Sequence, residues 1–256
     1  MSKARLRRIA RQFPENGLKL LLETPANVRE LLQLTGTKLI DLIDFDRLTR
    51  SRTTFVARDF RHVEADVVLR APVRPPRRRG KAARSGSVLV YILIEHQSEP
   101  DPLMVLRLLE YTVQVYRSQV RHPRSEQVRR HPRLDPVLPV VLYTGTAAWE
   151  SLGTMHDLVA LGGLFQEMVP SFGPLFLNVG ALAPDVVESR GGGLGPVLRL
   201  LQQRKARAAE FRALLARTVE RLEALAETEQ ARWRDLLTYL HALVYNQRHS
   251  TEQPKL

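Results

Sequence analysis

The chain has 256 residues, 44% of them hydrophobic, and no cysteine. There is enough apolar sequence for one medium-sized globular domain, or a domain with a small appendage, so disorder throughout is excluded. A disulfide framework and a thiolate metal site are excluded too. The net charge is +12, from 39 basic and 27 acidic residues. Lys3, Arg5, Arg7, Arg8 and Arg11 open the chain with no acid among them. Arg70, Arg74, Arg77, Arg78, Arg79, Lys81 and Arg84 form a second acid-free run, and residues 117–133 hold six arginines against Glu126. The remainder is slightly acidic, an ordinary soluble surface. Positive charge clustered in this way favours a polyanionic partner, most simply nucleic acid. The bland alternative is a set of solvated arginine-rich loops.

Residues 15–34 carry Leu18, Leu21, Leu22, Val28, Leu31 and Leu32 at roughly helical spacing, with a break at Thr24-Pro25. Residues 38–49 read as short helical or turn structure. Residues 53–60 and 62–70 are rich in β-branched residues and read as two strands. A proline- and arginine-rich loop, residues 71–87, follows. Residues 88–97 are apolar on both faces until Glu95, which marks a central, buried strand. Their apolar run is too short to cross a bilayer, and the N-terminal arginines break any signal-peptide pattern. A cytoplasmic protein without a membrane segment is expected.

An amphipathic helix is expected over 102–121, starting near Pro102. Residues 137–143 form a second buried strand, ended by Thr144-Gly145, and 174–179 a further short one. The glycine-rich stretch 190–196 reads as a flexible connector. Residues 197–246 are helical with a broad apolar stripe, which could serve a homodimer or simply pack on the sheet. The order of elements gives an α/β chain: a central mixed sheet flanked by helices, then a C-terminal helical region.

The chemically informative pair is Asp66 and Glu95. If the strands that carry them pair as a hairpin across the basic loop, the two carboxylates converge. An acid inside an apolar strand is costly unless it is paired or binds a cation. Two carboxylates and a backbone carbonyl make a hard, oxygen-rich site suited to Mg²⁺. The competing reading is a strand-end acid in solvent, or one paired with Arg107. The seven histidines show no paired spacing for zinc.

The stretch 91–111, YILIEHQSEPDPLMVLRLLEY, closely resembles the signature of the YhgA-like transposases, also called recombination-promoting nucleases. Residues 15–22 (ENGLKLLL), 63–69 (VEADVVL) and 138–149 (LPVVLYTGTAAW) are similar to three further family segments. The family sits in the PD-(D/E)XK nuclease superfamily, which implies a nuclease-like domain over 13–190 and a helical region over 197–246. It implies Mg²⁺-dependent (or other divalent-cation-dependent) endonucleolytic cleavage of DNA. On this resemblance Asp66 and Glu95 are catalytic acids and metal ligands, joined by the His96 backbone carbonyl. Gln97 takes the place of the superfamily lysine, and Glu15 matches an acid on the first helix. Lys19 and Arg107 match basic positions for phosphate, and Tyr111 a helix position. The loop arginines Arg77, Arg78 and Arg79 add DNA contacts. Leu18 and Glu15 depart from the family's Phe and Asp, and Gln97 lacks the charge of lysine. The alternative is a non-catalytic DNA-binding accessory protein on a nuclease-derived fold.

Overall fold

The computed structural model describes residues 13, 17–51, 54–56, 62–74, 89–123, 130 and 133–248. They group into two compact units, Lys38–Asn178 and a second in which the residues up to Thr37 join those from Val179 onward.

In the Lys38–Asn178 unit, two 3-10 turns, Lys38–Leu42 and Phe45–Arg47, lead into β1 (Thr49–Arg50). β2 (Thr54–Val56) and β3 (His62–Glu64) form a two-stranded antiparallel ribbon. β4 (Val67–Pro72), β5 (Leu89–Gln97), β6 (Val137–Tyr143) and β7 (Leu175–Asn178) join β1 in a five-stranded mixed sheet of order β1-β4-β5-β6-β7. β4 and β5 are antiparallel with Val67 opposite Ile94, whereas β6 runs parallel to β5 with Tyr143 opposite Gln97. β7 is parallel to β6.

β5 occupies the centre because its apolar run satisfies burial on both faces. On one face Val68, Leu93 and Val141 pack against Met104, Leu108, Tyr111 and Val115. Those four lie at helical spacing on α2 (Met104–Arg121), which follows α1 (Pro25–Leu34, of the other unit) in chain order. Ile92, Ile94, Val140 and Leu142 on the other face are fully buried as well. Between β6 and β7 the chain passes through α3 (Met155–Leu158), a single turn closed by a reciprocal Thr154–Asp157 capping box.

The second unit contains the helical residues 17–21, α1 (Pro25–Leu34), α4 (Pro184–Arg190), α5 (Leu194–Gln202), α6 (Ala208–Thr228) and α7 (Gln230–Gln247). The break at Thr24-Pro25 stands as expected: Pro25 opens α1, where its missing N–H costs nothing. Arg232, 6% exposed, donates from Nε to Asn27 Oδ1 at 2.8 Å and pairs with Glu30 and Glu229. Glu30 in turn accepts the Leu194 N–H at 2.9 Å, at the first residue of α5. One buried guanidinium therefore ties α1 and α7 together, and its Glu30 partner also satisfies an N–H at the start of α5.

Three expectations are corrected. The strand read over 62–70 is two strands, separated by Ala65 and a bend at Asp66. Ala65 and Val68 both face the α2 side of the core, so side-chain alternation is interrupted there. The helix read from Pro102 begins at Met104, because the Asp101 carboxylate accepts the Leu103 N–H at 2.9 Å and holds a turn first. The stretch 190–196 is no flexible connector. It is a tight junction between α4 and α5, in which the Gly195 N–H donates to the Gly191 carbonyl at 2.7 Å. A Cβ on Gly195 would run into the Val187 carbonyl oxygen, well inside van der Waals contact, so only glycine allows this approach.

Candidate active site

Asp66 stands directly beyond the β4–β5 ladder, opposite Glu95, because Val67 is in register with Ile94. The two acids are linked through each other's strand. The Asp66 N–H donates to Glu95 Oε1 at 2.9 Å, and the His96 N–H donates to Asp66 Oδ2 at 2.8 Å. Side-chain oxygens thus replace the next rungs of the ladder, and the carboxylates are fixed by main-chain donors rather than by flexible partners. Glu95 is 1% exposed, and Asp66 is half-buried.

Arg107 reaches this pair from the first turns of α2. Its Nη2 lies 3.5 Å from Glu95 Oε2, while Nη1 donates to Asp101 Oδ2 at 2.6 Å. Nη2 also lies 3.4 Å from the Tyr111 hydroxyl, one turn further along the helix. Burial alone pushes the Arg107 guanidinium down. The bonds to Tyr111 and Asp101, with the charge of Glu95, outweigh it and hold the group above its ordinary value. Burial likewise pushes the Tyr111 phenol up, helped by Glu95 and opposed by the Arg107 bond. Both groups therefore keep their protons throughout the neutral range. The sequence leaves open whether Glu95 is paired with Arg107, and here it is.

On the other side of β5 the His96 ring is 2.8 Å from Thr144 Oγ1. The imidazole is thereby engaged away from Glu95, as strand alternation requires. N–H and C=O of one strand residue point the same way, so the His96 carbonyl is turned toward the Asp66 side. Gln97 ends β5 half-buried, and its carbonyl accepts the Thr144 N–H at 3.0 Å. The loop after β6 is pinned by Tyr143, whose hydroxyl donates to the Ala147 carbonyl at 2.7 Å. Tyr143, Trp149 and Phe176 form an aromatic cluster with ring centroids 5.0 to 6.4 Å apart.

Asp66, Glu95, the His96 backbone and Arg107 are brought together, and Gln97 shares the strand end. Lys19 lies on the helical residues 17–21 of the other compact unit. Glu15, Arg77, Arg78 and Arg79 lie outside the described residues. Asp101 is a site residue that sequence reasoning misses. Its signal is its position six residues before Arg107, ahead of a proline and a helix start. No group of three or more His, Cys, Asp or Glu side chains suited to a metal ion occurs among the described residues. The donor set is two carboxylates and a neighbouring main-chain carbonyl. This fits Mg²⁺, which commonly takes one or two carboxylates and keeps several waters. Among the described residues no helix is long and apolar enough to cross a membrane.

The family model described as "Putative transposase, YhgA-like" matches residues 15–232. The chain belongs to this family. It is 28% identical over 129 residues to "Recombination-promoting nuclease RpnD" of Escherichia coli O157:H7, an alignment covering 50% of this chain and 44% of that protein. It is 29% identical over 98 residues to "Putative inactive recombination-promoting nuclease-like protein YjiP" of Escherichia coli K12, covering 38% of this chain and 85% of that one. The chain thus matches less than half the length of RpnD. No solved structure matches it.

Proposed function

We propose that this protein is a divalent-metal-dependent DNA endonuclease with a PD-(D/E)XK-type core. The observation that carries the reading is the convergence of Asp66 and Glu95 at the end of the central strands, with Arg107 beside them. A nuclease named among its relatives supports the reaction class. Asp66, Glu95 and the His96 carbonyl would hold Mg²⁺, which when bound lowers the pKa of an attacking water and polarises a phosphate oxygen. The His96 and Asp66 N–H bonds keep the two carboxylates oriented without rearrangement. Arg107 offers a planar donor to a phosphate oxygen. The Gln97 amide orients water or phosphate but adds no charge. The arginine runs give sequence-independent affinity that falls steeply with salt.

The test is cleavage of supercoiled plasmid with Mg²⁺ or with EDTA, by wild type and by Asp66→Asn. That substitution keeps an acceptor for the His96 N–H while removing the charge. Nicking or linearisation that requires both the metal and Asp66 is expected. Wild type that binds plasmid but never cuts it with Mg²⁺, Mn²⁺ or Co²⁺ overturns the proposal. The accessory-protein reading, which the relative named as inactive favours, then takes its place.

A further inference from the structure

The two arms of Arg107 are held unequally. Nη1 is only 2.6 Å from Asp101 Oδ2, whereas Nη2 stands 3.5 Å from Glu95 Oε2. The Asp101 side chain is 24% exposed and is itself fixed by the Leu103 N–H at 2.9 Å. The Glu95 side chain is 2% exposed and the Arg107 side chain 38%. A buried carboxylate thus meets a partly solvated cation at a loose distance, while that cation is anchored firmly to a more exposed acid.

We propose that Arg107 is an exchangeable counter-ion, which balances Glu95 in the metal-free protein and yields it to a divalent cation, swinging on its Asp101 anchor toward DNA phosphate. The proposal rests on the nuclease reading of this site and adds a coupling to it. A divalent cation at the carboxylates would lie about 2 Å from their oxygens. That is within reach of the guanidinium, and two like charges at such separations repel appreciably even at an effective dielectric of about 20. Metal binding without DNA is therefore weakened by Arg107. DNA relieves the conflict, because a phosphate gives the displaced guanidinium a new partner. Each ligand then raises the affinity of the other by the same factor.

The test is calorimetric titration of the full chain with Mn²⁺ alone, without DNA. The proteins are wild type, Arg107→Gln, Arg107→Met and Arg107→Lys, each first checked for a native thermal transition. The two neutral variants are expected to bind Mn²⁺ about tenfold more tightly than wild type, given the screening of a partly exposed cation. Arg107→Lys, which keeps the charge, is expected to stay near wild type. Two neutral variants cover the case in which one fails to fold. Equal or weaker Mn²⁺ binding in a folded neutral variant overturns the exchange while leaving the metal site intact. No Mn²⁺ binding by wild type or any variant removes the metal site itself, and the exchange with it.

Discussion

Glu95→Gln separates the cost of the site from its use. The substitution keeps the side-chain shape and an acceptor for the Asp66 N–H, now 2.9 Å from Oε1. It removes a charge that is 1% exposed. It also abolishes the attraction to Arg107, whose Nη2 stands 3.5 Å from Oε2. At an effective dielectric of about 20 the gross attraction is roughly 5 kcal/mol. Because the Arg107 side chain is 38% exposed, screening reduces this to roughly 1–2 kcal/mol. Against it stand the desolvation of the buried carboxylate, several kcal/mol in effect, and the proximity of a second carboxylate on Asp66. The balance makes Glu95→Gln equal to wild type or about 1 kcal/mol more stable in EDTA, a rise of roughly 2–4 °C in Tm for a chain of this size. Cleavage should be lost in the same variant. Urea and thermal unfolding in EDTA, followed by circular dichroism, measure the first effect, and plasmid nicking the second. A loss of more than about 2 kcal/mol would refute the reasoning, because Glu95 would then be a net stabiliser of the fold rather than a charge retained for chemistry.

Gly195→Ala drives a methyl group into the Val187 carbonyl oxygen. It should cost about 2–3 kcal/mol in urea unfolding, in the manner of an overpacked core. Gly145→Ala would set a Cβ against the Ser98 carbonyl oxygen, where the ends of β5 and β6 adjoin the site. Reduced cleavage together with a lower Tm is expected. Arg232→Met breaks a buried pair and strands Glu30, at a cost of about 3 kcal/mol; a change below about 1 kcal/mol in urea would show that Glu30 finds another donor. The Thr154 bonds hold the Asp157 carboxyl below its ordinary 3.8. Its contribution to stability is therefore present above that value and is lost as pH falls through the lower folded-state pKa. Carboxyl NMR titration should return Asp157 toward its ordinary value in Thr154→Val.

Where the chain forms regular structure under its own local pattern, the sequence reads well. Residues 137–143 are bounded by Pro136 and by Thr144-Gly145, and β6 has those limits. The run before Glu95 is apolar on both faces, and β5 is central. The pairing of Asp66 with Glu95 is legible because one buried acid inside such a run demands an explanation. What escapes depends on atoms distant in sequence. The bend at Asp66 arises because its N–H is taken by a side chain 29 residues away. Asp101 has the surroundings of a loop acid, and its two roles, turn acceptor and anchor for Arg107, become visible only once the helix has formed. The glycines at 191–195 have the composition of a linker, yet their backbones are in close contact. The tie from Arg232 to Asn27 spans 205 residues, which no local periodicity reports.

The sheet ends at the two candidate acids. Because Asp66 and Glu95 each accept a main-chain N–H of the opposing strand, they are structural rungs, and on the proposed function reagents as well. If cleavage were abandoned, they could not be discarded freely: an apolar replacement leaves a part-buried amide without its acceptor. Drift should therefore favour asparagine and glutamine, which silence the chemistry and keep the rung. Relatives that have lost activity would retain the outline of the site in their sequences, and a motif search that tolerates amides at these two positions would recover fossils that a search for acids overlooks.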